Sequence, residues 1–123
     1  MSTLVAQTIS NGSVSTSSAN VIQGSARAWV RWSLATSPGT IASSYNVTSV
    51  TKNSTGNCTI NFTNALTDSN YTIVGSAAQP GVSSGNLTFN GVPSSSSSVG
   101  ILMYNSNFSA FQDSTVACVA IFR

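Results

Sequence analysis

Glutamate and histidine are absent from this chain, and charge of either sign is scarce. Arg27, Arg31, Lys52 and Arg123 are balanced only by Asp68 and Asp113, for a net charge of +2. Without histidine there is no Ser-His-Asp or Cys-His nucleophile and no His-ligated metal, and the only two cysteines, Cys58 and Cys118, cannot complete a four-cysteine zinc site. No G-x-x-x-x-G-K-[ST] phosphate loop occurs. A glycosidase would need Asp68 and Asp113 to converge in one site. Asp68 instead opens an Asp-Ser-Asn turn, where an Asp accepts its own loop's N–H groups. No catalytic residue, metal or cofactor is therefore expected, and the chain reads as a non-enzyme. Four scattered cations do not form the cluster that replaces counterions on nucleic acid. No run approaches the ~20 apolar residues that span a bilayer, and Met1 to Ser10 lacks the basic and apolar regions of a signal peptide.

What the chain has instead is hydroxyls and amides: 51 of its 123 residues are Ser, Thr or Asn. These side chains compete for backbone hydrogen bonds, which disfavours helices and suits strands joined by turns. The runs near residues 28–32, 58–62, 71–74, 99–104 and 116–122 are too apolar and too patterned for disorder. At this length they fit one domain over residues 1–123, with residues 1–19 supplying an N-terminal strand (Leu4 to Ile9) and a Ser/Thr-rich connection packed on it.

Three runs in the centre define the pattern. Tyr45 to Thr51 is β-branched, Cys58 to Phe62 alternates with Cys58, Ile60 and Phe62 on one face, and Tyr71 to Val74 is again aromatic and β-branched. Asn53-Ser54-Thr55-Gly56 between the first two supplies the left-handed position of a hairpin turn, leaving Asn57, Thr59, Asn61 and Thr63 facing outward. Val21-Ile22 leads through Gly24-Ser25 into the strand Ala26 to Trp32, where Ala28, Val30 and Trp32 share one face and Arg27, Trp29 and Arg31 the other. Gln79-Pro80-Gly81 and Ser83-Ser84-Gly85 bracket a loop, Leu87 to Phe89 is a short strand, and Asn90-Gly91 reads as a hairpin turn. The run Ser94 to Ser98 reads either as a loop or as a polar strand edge. Val99 to Tyr104 and Thr115 to Phe122 lack clean alternation and are expected as strands covered on both sides. Together these runs predict an all-β fold: an antiparallel β-sandwich of about eight strands, with a jelly-roll as one form it can take.

Cys58 and Cys118 lie in apolar strand patterns and are expected as free thiols on inward faces. Eight N-x-[ST] sequons follow from the composition, and those at Asn57 and Asn61 fall inside a strand, so they carry little weight as glycosylation sites. Tyr104, Phe108 and Phe111, beside Asn105, Asn107, Gln112 and Asp113, combine flat apolar faces with polar groups, as a sugar ring requires. The competing reading folds Phe108 and Phe111 inward to close one end of the sandwich. Arg27, Trp29 and Arg31 are candidates for a subunit contact, because Trp and Arg are enriched at interface centres; the alternative is Arg stacked on the indole within one subunit.

The pattern S-Y-N-V-T-S-V-T, the Gly-containing turn, the aromatic-ended N-F-T and the loop into D-S-N-Y-T-I-V-G-S resemble a β module of bacteriophage tail fibres and related small phage proteins. The resemblance extends to Asn20–Val30 and Val119–Arg123. It implies a virion structural protein, made in the bacterial cytoplasm and displayed on the particle exterior as a tail-fibre or receptor-binding-like module contacting host-surface glycan. Other virion proteins would be its neighbours, and a homo-oligomer, a trimer above all, its assembly. The alternative implied is a capsid decoration or head-fibre knob with a purely structural role, which suits a Met1 that stands almost at the domain.

Overall fold

The computed structural model describes residues 2–3, 5–78 and 86–123. Among the described residues there are ten strands and one short helix: β1 (Thr8–Ser10), β2 (Ser15–Ser17), α1 (Ser18–Gly24), β3 (Ala26–Ser33), β4 (Thr40–Tyr45), β5 (Val47–Ser54), β6 (Asn57–Phe62), β7 (Thr72–Ala78), β8 (Asn86–Pro93), β9 (Ser98–Tyr104) and β10 (Val116–Phe122). The last eight form one antiparallel sheet in the order β4-β3-β10-β7-β8-β9-β6-β5. Its two ends approach each other, and Gly39 N donates to Val50 O at 3.1 Å across the gap. A nearly closed, barrel-like sandwich results, as the all-β reading requires. β1 and β2 form a separate ribbon on which no residue is buried.

The core is the inward half of each alternation. Ala28, Val30 and Trp32 of β3 meet Cys58, Ile60 and Phe62 of β6, Val99, Ile101 and Met103 of β9, and Ala117, Val119 and Ile121 of β10. Each large apolar side chain so removed from water contributes roughly 1.5–3 kcal/mol. Tyr71 closes the β8–β9 side: its ring meets Phe62 edge-on at 6.0 Å, and its hydroxyl donates to Ser98 O at 2.8 Å.

Several expectations are corrected. β9 and β10 alternate strictly between buried and exposed or half-exposed residues, so they are covered on one face, with small or apolar residues outward. Cys118 consequently lies outward and exposed, while Cys58 is buried as expected; both are free thiols. Asn90-Gly91 is not a turn but lies within β8, opposite Leu102 and Ile101. The glycine is required there because a Cβ would stand 2.5 Å from Ile73 Cγ2. The turn between β8 and β9 is made by the serine run: Ser95 N donates to Ser98 O at 3.1 Å, and the Ser95 hydroxyl lies within 3.1 Å of those of Ser97 and Ser98. The run Tyr45–Thr51 is broken at Asn46, which takes a left-handed φ of 55°. Residues 18–24, where the composition disfavours a helix, form α1, capped by Ser17 Oγ accepting from Asn20 N at 3.2 Å. The first strand begins at Thr8 in place of Leu4, which lies outside the described residues together with the two expected brackets of the 79–85 loop.

Candidate functional site

At the end of the barrel where β3 and β9 finish, the β5–β6 hairpin turn serves as a seat. Gly56 has φ 63°, the left-handed conformation its turn requires. Its carbonyl accepts from Met103 N at 2.7 Å and its N–H donates to Asp113 Oδ1 at 2.9 Å. The other Asp113 oxygen meets Lys52 Nζ at 2.6 Å, and that ammonium also donates to Leu34 O at 3.0 Å. One carboxylate thus ties together β5, the hairpin turn, the exit of β3 and the approach to β10. A Cβ on Gly56 would stand 2.5 Å from Met103 O and 2.6 Å from Gln112 N, so the contact admits no side chain.

Above this seat the chain from Tyr104 to Phe111 forms a self-bonded loop. Asn105 O accepts from Phe108 N at 3.0 Å, Asn105 N donates to Ala110 O at 3.0 Å, and Asn105 Oδ1 accepts from Ser109 N at 2.9 Å. The Ser109 hydroxyl accepts from Asn105 Nδ2 at 2.9 Å and donates to Asn107 Oδ1 at 2.7 Å. Phe108 is held at φ 58°, an outlier for a bulky residue that costs on the order of 1–3 kcal/mol. Phe108 is 67 % exposed and Phe111 44 %, so neither closes the sandwich. Both attach to Tyr104: Phe111 stacks on it at 4.4 Å between centroids, and Phe108 tilts at 6.5 Å.

Tyr104, Phe108 and Phe111 are therefore brought together as an exposed aromatic platform. Asn105, Asn107 and Asp113 are placed beside it, but their side chains are engaged in holding the loop. The anchoring roles of Lys52 and Gly56 escape sequence reasoning. Asp113 is one of only two acids, so a cation partner among four was foreseeable, though not which one.

The other candidates lie on β3. Trp29 is 39 % exposed on the outward face, flanked by Arg27 and the exposed Arg31. Among the described residues no guanidinium stacks on its indole. At the opposite end of the barrel from the aromatic loop, Arg27 Nε donates to Arg123 O at 3.0 Å beside a groove of about 470 Å³ whose lining includes Tyr45, Asn46, Asn64 and Thr67. Asp68 behaves as its turn predicts, accepting from Asn70 N at 2.7 Å; it also accepts from Arg123 Nε at 2.8 Å, and the guanidinium holds its carboxyl below the usual carboxylate range. No helix among the described residues is long and apolar enough to cross a membrane, and none of their acids and cysteines gather as a metal cluster. Comparison with protein-family models, with curated proteins and with solved structures finds no match to this chain.

Proposed function

We propose that the chain is an attachment module of a bacteriophage particle, a tail-fibre-like protein that binds host-surface carbohydrate on the Tyr104–Phe108–Phe111 platform. The observation that supports this most is the exposure of Phe108 and Phe111 on a loop held by its own hydrogen bonds through Asn105, Asn107 and Ser109. Apolar rings held outward in a strained conformation are retained where a partner covers them. Planar rings stack on the C–H face of a pyranose, and here they are pre-positioned, so little ordering entropy opposes binding. The phage setting rests on the resemblance of the 41–77 stretch and its flanks, and the tail position on the same ground.

Alanine at Tyr104, Phe108 or Phe111 is expected to lower affinity for isolated host-surface polysaccharide at least about tenfold while leaving the melting temperature within a few degrees. Binding by all three variants at the parental level would remove the platform from the function. Imaging the particle places the protein on tail or capsid; a capsid position would make it a decoration or head-fibre knob.

A further inference from the structure

Both acids of the chain are spoken for. Asp113 pairs with Lys52 and Asp68 with Arg123. The side-chain net charge of +2 therefore resides in Arg27 and Arg31, neither of which pairs with an Asp; Arg27 is held only through Nε, which donates to Arg123 O at 3.0 Å, and Arg31 makes no side-chain bond among the described residues. Both project from the outward face of β3, four residues or about 13 Å apart along the strand, with Trp29 midway. Trp29 is in register with Tyr45 of β4 and Ala120 of β10, and Ala120 with Val74 of β7. An apolar row thus crosses four strands between two guanidiniums without an Asp partner, and Tyr45, 57 % exposed, ends it at the mouth of the groove that Arg27 lines.

We infer that this outward face of β3 binds an acidic polysaccharide, its sugar rings lying on Trp29 and Tyr45 and its carboxylates pairing with Arg27 and Arg31. Guanidinium forks match carboxylates, and indole and phenol faces match the apolar side of a pyranose. A spacing of about 13 Å suits a polymer carrying separated charges better than one small anion. A second copy of the chain fits less well: both of its Asp side chains are already paired, so packing this face on itself would enclose Arg31 beside a second Arg31 with no Asp free to meet it. Nucleic acid presents a phosphate at every nucleotide, and two cations meet few of them. The site is separate from the aromatic loop, and the inference does not depend on the carbohydrate reading of that loop.

The test is a titration of the whole chain with sodium polygalacturonate, followed by tryptophan fluorescence; Trp32 is fully buried, so the change reports Trp29. A saturable change is expected, absent with dextran, and weakened several-fold between about 0.05 and 0.2 M salt. Arg31→Ala should lower affinity about tenfold and Arg31→Glu abolish binding, both with unchanged melting because Arg31 is exposed. Phe108→Ser should bind polygalacturonate like the parent, whatever it does to the loop's own ligand. The inference is overturned if polygalacturonate does not bind, if Arg31→Glu binds it as the parent does, or if a single-stranded oligothymidylate binds more tightly. It is also overturned if sedimentation shows the wild type self-associated and Trp29→Ser monomeric.

Discussion

The molecule exposes aromatic rings in two places, and the groups around them differ in kind. On the 104–113 loop every nearby candidate polar side chain is engaged: Asn105 and Asn107 bond within the loop, and Asp113 bonds to Lys52 and Gly56. On β3 the ring is carried by a strand, and neither of its neighbours Arg27 and Arg31 pairs with an Asp side chain. An exposed ring alone therefore does not define a chemistry. Satisfied surroundings leave the loop a neutral stacking surface, whereas arginines without an Asp partner give β3 a preference for anions.

The largest expected effect comes from removing the loop's seat. Gly56→Ala puts a Cβ against Met103 O and Gln112 N in a left-handed turn, and should destabilise the fold on the order of 3 kcal/mol in urea unfolding. Carbohydrate binding by the loop should fall with it, while any folded fraction keeps polygalacturonate binding on β3. Next is Asp113→Ala, which strips Gly56 N–H and Lys52 Nζ of a carboxylate and is expected to cost roughly 1–3 kcal/mol. Asp113→Asn should recover part of that loss, as read from the urea midpoint.

A third prediction probes the core that the inner side of β3 faces, through Cys58 of β6 and Tyr71. Burial pushes the Cys58 thiol from 9.0 up to about 12; the Trp32 indole N–H beside it pulls the other way, and the charge of Asp113 adds to the rise. Burial also pushes the Tyr71 hydroxyl upward. Both groups are held neutral in the fold and ionise first in the unfolded chain. The stability they confer is therefore complete below about pH 9 and is lost as pH climbs from there through about 12. Urea midpoints should fall steadily between about pH 9 and 12. In Cys58→Ala the fall should begin later and be shallower, leaving the part due to Tyr71. The smallest effect on stability belongs to Phe108→Asn: a residue tolerant of the left-handed region relieves strain and should raise stability by less than about 1 kcal/mol, while loop binding to carbohydrate drops.

What could be read in the sequence follows from which interactions are local. The alternation of Cys58, Ile60 and Phe62 and of Ala28, Val30 and Trp32 needs only the strand period, and both faces came out as read. Gly56 was legible as a turn residue because its conformation is set by its own hairpin; its second role, seating Met103 and Gln112, depends on chain segments about fifty residues away. Asn90-Gly91 misled for the same reason, since that glycine answers to Ile73 on another strand. α1 buries no residue and so has no apolar face to betray it; the Ser17 cap was its one signal. For the candidate sites, the residue types were legible and their hydrogen-bond occupancy was not, because occupancy is decided by partners such as Lys52 for Asp113.

β10 lies in the middle of its half of the sheet, between β3 and β7, although it is the last strand of the chain. On a ribosome, where N-terminal segments emerge first, β3 and β7 wait with one edge each unpaired until Ala117 to Phe122 have emerged to join Trp32 to Ala26 on one side and Ala77 to Thr72 on the other. Such pairings close long loops, so the half of the sheet around β10 completes only after its final strand has emerged. Until then the edge of β3 that β10 will cover is open to other nascent chains, and a chain stalled before Val116 is an aggregation hazard.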